Sequence, residues 1–170
     1  KSQHVPMHLE TPYFTIMEQV LNKAEGIWQK TSIKPIRLHG DLHRSNILHT
    51  LQGIGFVDLD DARMGPAIQD LWMLLSGSLA DQQEQLNSLL QGYQTFCSLP
   101  QEQLQLVEVL RTLRMIHYTA WLSRRWDDPA FPHNFPWFEQ DKYWEEQILS
   151  LKEQFAALDS PTLTLPNNNF

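Results

Sequence analysis

Asp41, Asn46 and Asp58 are the three residues of this chain whose types and spacing could do chemistry together. The first two stand in HGDLHRSNIL (39–48) and the third in FVDLDDA (56–62). A carboxylate, an amide soon after it, and a second carboxylate closing an apolar strand suit phosphoryl transfer. That reaction uses a carboxylate beside the attacking hydroxyl, an amide oxygen on Mg²⁺, and a carboxylate bridging the metal to nucleotide phosphates. Asp41 is the candidate base, and a positioned base contributes roughly 10²–10⁴-fold. Asn46 and Asp58 offer the oxygen donors that Mg²⁺ takes alongside phosphates. Each has a plainer reading: a turn Asp, an Asn capping a strand, an Asp ending one. Their joint occurrence weighs against that. Asp60 and Asp61 follow Asp58 at once, and carboxylates about 5 Å apart repel by about 3 kcal/mol at an effective dielectric near 20. The cluster is therefore expected to be buried and neutralised by divalent cations, with Asp60 touching a metal, serving the loop or contacting substrate.

The elements that must position these residues follow from periodicity. Residues 1–10 have no period and read as a linker or cut end. Thr11-Pro12 is a helix start, after which Tyr13, Ile16, Met17, Val20, Leu21, Ala24, Ile27 and Trp28 recur at helical spacing through Lys30. A short strand at 36–38 leads into the loop at 39–48. Two apolar strands, 47–50 and 54–58, suggest a hairpin around Gly53, with the metal strand spanning 54–62. Pro66 opens a buried helix over 67–75. The rest is helical: an amphipathic helix at 82–98, a long, mostly buried one at 104–126 carrying Leu110, Leu113 and His117, and a last one at 141–158. Pro129, Pro132 and Pro136 force a loop over 127–138. The end, 159–170, reads as a frayed tail.

At 170 residues, 42% apolar and 19% charged, the composition suits one globular domain. A net charge of −7 argues against a nucleic-acid partner, which would call for clustered Lys and Arg. No apolar run approaches the roughly 18 residues of a membrane span. Cys97 is the single cysteine and has no internal partner, which favours a reducing cytoplasm.

The pattern H-x-D-x-x-x-x-N at 39–46, followed by an apolar strand before Asp58, is similar to the catalytic and metal-binding segments of kinase-like enzymes. Gly40, where eukaryotic-type protein kinases carry Arg, makes the chain resemble the aminoglycoside/choline phosphotransferase branch. Within that branch VDLDDARMGPAIQDLWMLL (57–75) and RRWDDPAFPHNFPW (124–137) resemble the bacterial stress response kinase A family of Ser/Thr protein kinases, over residues 13–151. The resemblance implies an α+β, mainly α fold: a protein-kinase-like C-terminal lobe (11–158) whose short β-hairpin carries the metal site and whose helical subdomain is 67–158. It implies ATP and Mg²⁺ as nucleotide and cofactor, and a protein Ser/Thr hydroxyl as acceptor. His39 becomes a packing histidine and Asp70 the carboxylate that ties down the backbone amides of the loop. His43, where protein kinases place a phosphate-contacting Lys, is either a phosphate contact or a helix-facing or solvent-facing histidine. Replacing the Arg by Gly40 implies that no activation-loop phosphorylation is needed.

The seven glycines form no G-x-G-x-x-G, and no V-A-I-K-like strand precedes residue 39. The chain is thus expected to lack the N-terminal lobe of a larger kinase and to be inactive on its own. Three other readings stand beside this one. The acceptor is a small-molecule hydroxyl, as in aminoglycoside or choline kinases; or the lobe is a binding module; or GDLH belongs to a binuclear metal hydrolase with His39, Asp41, His43 and Asp58 as ligands. The hydrolase would need further G-D-x-x-D and G-N-H blocks, which are absent. The aromatic loop at 126–137 either packs on helices or lines a groove for a cationic or peptide substrate.

Overall fold

Apolar residues three and four apart build most of this molecule, and strands are few and short. In order run α1 (Met7–Lys30), β1 (Ile36–Leu38), β2 (Ile47–Thr50), β3 (Gly53–Phe56), β4 (Arg63–Gly65), α2 (Gln69–Trp72), α3 (Leu79–Tyr93), α4 (Leu106–Arg124), α5 (Ala130–Asn134) and α6 (Asp141–Ala157). Short 3-10 turns cover Arg44–Asn46 and Gln101–Gln105. This computed structural model describes residues 4–166. The fold is mainly helical with two small antiparallel sheets. The described residues divide into two units, one of residues 4–29 and 108–160, the other of 30–107 and 161–166.

In the first unit α1 buries Tyr13, Ile16, Val20 and Ala24 along one face. Trp144, Ile148 and Leu151 of α6 and Leu122 of α4 join the same core, with Phe131 and Phe138 from the intervening segment. The aromatic loop expected at 127–138 contains a helical turn, α5, despite Pro132. Its rings pack within the unit: Trp126 on Phe138 at 4.8 Å and Trp121 on Phe131 at 5.0 Å between centroids. Lys23 caps the end of α6 by donating to the Phe155 carbonyl at 2.8 Å and pairs with Asp159. Helix α1 begins at Met7, a turn before the expected start at Thr11, and Pro12 lies inside it. The added turn holds because Val5 is buried and Leu9 packs on the core, while Pro12 removes one intrahelical hydrogen bond. On α4 the buried positions include Val109, Leu110, Thr112, Thr119 and Leu122, whereas Leu113 and His117 are exposed. The two threonines sit comfortably there because Thr112 Oγ1 donates to Glu108 O at 2.7 Å and Thr119 Oγ1 meets Tyr143 Oη at 3.0 Å.

In the second unit β2 and β3 form the expected hairpin, with Ile47 opposite Phe56 and Thr50 opposite Gly53. Strand β1 pairs with β4, a strand the sequence did not suggest, placing Leu38 opposite Arg63. The buried helix expected over 67–75 is helical only over Gln69–Trp72; turns flank it, and Ala67, Ile68, Leu71, Trp72 and Leu75 are buried. Helix α3 starts at Leu79 rather than 82, because Ser78 and Asp81 form a reciprocal capping box. Part of the expected frayed tail is ordered by packing: Leu163 is buried. Gln83 and Gln101 hold the backbone of Thr164 and Leu165 at 3.0 and 2.8 Å. Residues 167–170 lie outside the described residues. No helix among the described residues is long and apolar enough to cross a membrane.

Candidate active site

Strand β1 ends at Leu38, and the chain then makes a loop whose amides are held by a side chain about thirty residues away. Asp70, at the start of α2, accepts from His39 N at 2.7 Å and from Gly40 N at 2.9 Å. Gln69 Nε2 donates to Gly40 O at 2.9 Å. The peptide units on both sides of Gly40 are therefore fixed by two consecutive residues of α2. Asp70 is half-buried, on a turn whose neighbours Ile68 and Leu71 are in the core.

Gly40 cannot be replaced without cost. Its φ is +90°, and a Cβ there would lie 2.1 Å from the Asp61 carbonyl oxygen. The acidic loop after β3 thus runs directly against the loop of Asp41. Arg63 fastens that contact, with Nε on Asp61 O at 3.0 Å and Nη2 on Asp61 Oδ1 at 3.1 Å. Sequence reasoning treated Gly40 only as a substitution for Arg and passed over Gln69 and Arg63. The signal available was weak: a Gly preceding a key carboxylate, and an amide beside Asp70.

Val57 joins the remaining pieces. Its N–H donates to Asn46 O at 3.1 Å, which carries the β2–β3 ladder one pair further. Its carbonyl accepts from His39 Nε2 at 2.8 Å. With the proton on Nε2, His39 Nδ1 is left to accept a long contact from Asp41 N at 3.4 Å. His39 thereby ties the loop to the residue immediately before Asp58. Asn46 is buried, and its Nδ2 donates to Asp41 O at 3.0 Å, so the amide's oxygen end remains as an acceptor. Asp41 O also receives His43 N at 3.0 Å. The Asp41 side chain is half-buried, with His43 Nε2 3.6 Å from Oδ2.

Asp58 has φ +65° and is the only non-glycine residue with positive φ among the described residues. This left-handed conformation costs a residue with a Cβ roughly 1–2 kcal/mol, and such strain gathers at functional positions. It also ends the strand early, at Phe56 instead of 58. The expected buried acidic cluster is not found: Asp58, Asp60 and Asp61 are all exposed. The reason is that the hairpin itself is open, with Ile54 66% and Phe56 57% exposed, so water solvates the carboxylates and Arg63 pairs with Asp61. Among the described residues no group of three or more His, Cys, Asp or Glu is placed to hold a metal ion. A cation here would have two protein oxygens, Asn46 Oδ1 and the Asp58 carboxylate, on chain segments joined by the Val57–Asn46 hydrogen bond. That sparse oxygen set suits Mg²⁺, which keeps waters and binds substrate phosphates.

The Tyr93 hydroxyl, at the end of α3, is buried with no hydrogen-bond partner among the described residues. Burial pushes its pKa up, and the charges of Cys97 and Asp70 add to the shift.

The mainly helical fold with small antiparallel sheets is consistent with a kinase-like phosphotransferase, and residues 8–104 match the phosphotransferase enzyme family. The chain belongs to that family. It is 42% identical over 161 residues to stress response kinase A of Escherichia coli K12. It is 43% identical over the same length to stress response kinase A of Salmonella typhi and to the serine/threonine protein kinase RdoA of Salmonella typhimurium. These matches cover 95% of this chain and 48% of each relative, so the chain spans about half the length of the curated relatives it matches.

Proposed function

We propose that this chain carries the catalytic-loop portion of an ATP-dependent Ser/Thr protein kinase. The observation that carries the reading is the backbone network centred on Val57. Through it His39, Asn46 and the residue before Asp58 are hydrogen-bonded together, while Asp70 clamps the segment leading to Asp41. Phosphoryl transfer depends on positioning, and three separate chain segments are here locked by bonds of 2.7–3.1 Å.

In this reading Asp41 orients the acceptor hydroxyl and takes its proton as the oxygen bonds to the γ-phosphorus and ADP leaves. Asn46 and Asp58 would hold Mg²⁺, which would supply positive charge to the nucleotide phosphates. His43, beside Asp41, donates to the γ-phosphate, and Asp60 stays a loop residue. The names of the relatives favour a protein acceptor. The family match alone is equally compatible with a small-molecule hydroxyl.

The test uses the longest natural form of the protein, labelled ATP, and a panel of protein and aminoglycoside acceptors. Asp41→Ala should reduce transfer at least about 10²-fold. Near-normal turnover by that variant, with its circular dichroism spectrum intact, removes Asp41 from the role. Transfer to an aminoglycoside in preference to every protein selects the small-molecule reading.

A further inference from the structure

A groove of about 470 Å³ lies beside the loop that bears Asp41, lined by Arg44, Leu74, Glu84, Gln85, Ser88 and Leu89. It is shallow and open to solvent, not enclosed. Two of its polar groups are already committed. Gln85 binds the backbone of Ser76 from both ends, through Oε1 at 2.8 Å and Nε2 at 3.0 Å. Ser88 Oγ donates to Glu84 O at 3.0 Å. What remains for a ligand is the Arg44 guanidinium, the Glu84 carboxylate, and an apolar floor of Leu74 and Leu89. Arg44 and Glu84 are both exposed, and neither is in an ion pair among the described residues.

Arg44 follows Asp41 by three residues in a tight turn, which keeps their Cα atoms within roughly 11 Å. An extended peptide covers that distance in about three residues. On the kinase reading, on which this inference rests, the groove therefore receives the acceptor's flanking chain and not its hydroxyl. A polycationic aminoglycoside is a poor match, since it would meet one carboxylate and a repelling guanidinium. A purely anionic ligand meets the opposite problem at Glu84.

We propose that this groove binds an extended polypeptide flanking the acceptor Ser or Thr, seating an apolar side chain on Leu74 and Leu89 between an acidic residue at Arg44 and a basic residue at Glu84. Arg44 and Glu84 are then specificity determinants.

The probes are four fluorescein-labelled peptides with a central Ser-Leu, flanked by Asp or Lys on either side in all combinations, and kanamycin as a polycation. Binding to the chain is read by fluorescence anisotropy. One mixed-charge peptide should bind at least about fivefold better than its charge-exchanged partner, as expected for exposed ion pairs. The double variant Arg44→Glu, Glu84→Arg should reverse that order. The single variants Arg44→Gln and Glu84→Gln should each remove discrimination at one flank only, with thermal midpoints unchanged. Equal binding of all four peptides, an order unaffected by the reversal, or kanamycin binding weakened by Glu84→Gln overturns the proposal. These readouts are independent of the kinase reading. Loss of peptide discrimination leaves transfer through Asp41 to be judged by labelled ATP, and an active Asp41→Ala enzyme fails that reading whatever the peptides do.

Discussion

Asp70 is the residue whose removal most directly tests how the loop is held. Its carboxylate takes two backbone amides, His39 at 2.7 Å and Gly40 at 2.9 Å, both partly buried. Hydrogen bonds to a charged acceptor contribute roughly 1.5–3 kcal/mol each. Partial exposure puts both near the low end, so Asp70→Ala should destabilise the chain by about 3 kcal/mol. Asp70→Asn keeps one acceptor oxygen but turns an NH₂ group toward the other amide, so about 2 kcal/mol should be lost. Urea unfolding followed by far-UV circular dichroism gives both values. Amide hydrogen exchange gives the local signature: His39 and Gly40 should lose protection first, while the amides of α6 keep theirs. If both variants fall within about 0.5 kcal/mol of the parent, or if exchange rises evenly through the chain, then Gln69 and β1 hold the loop without Asp70. The clamp argument then fails.

Three further outcomes follow from particular geometries. Gly40→Ala should cost about 3 kcal/mol, combining left-handed strain with a Cβ driven against Asp61 O; an unchanged thermal midpoint would mean the two loops do not meet. Asp58→Gly should relieve the strain at φ +65° and raise stability by up to about 1 kcal/mol. It should also abolish transfer in the longest natural form, because the proposed metal ligand is gone; retained activity removes Asp58 from the metal. Burial pushes the Tyr13 hydroxyl up to about 12, helped by Tyr143 and opposed by a hydrogen bond from Thr119. The folded state then holds this proton more tightly than the unfolded one. Stability is full below pH 10 and falls between pH 10 and 12, by roughly 2 kcal/mol for this residue. Tyr13→Phe should flatten the fall measured by urea unfolding at pH 9 and pH 11.5, and an equally steep fall in the variant would assign it elsewhere.

Local pattern carried part of this fold and tertiary closure carried the rest. Strands β2 and β3 lie close to where two apolar runs around the Gly53 turn put them, because a hairpin is a local object. Strand β4 left no such trace. Arg63-Met64-Gly65 has no alternation to read, and its pairing depends on Gly65 meeting Leu38, whose Cδ1 would be 2.7 Å from a Cβ there. The acidic run is exposed where its spacing predicts burial, for a related reason. Charge spacing sets repulsion only once solvent exposure is known, and exposure follows from the open hairpin. The candidate site shows the same division. Residue types and intervals named Asp41, Asn46 and Asp58, but the bonds that order them join residues 18, 30 and 31 positions apart. Val57 supplies only its backbone to those bonds, so no side chain could have announced it. Its two peptide groups connect Asn46 to His39 and then deliver the chain into the left-handed turn at Asp58. A side-chain change at position 57 that keeps the strand should therefore leave the network standing, whereas Val57→Pro, which deletes the donor to Asn46 O, should separate Asp58 from Asn46.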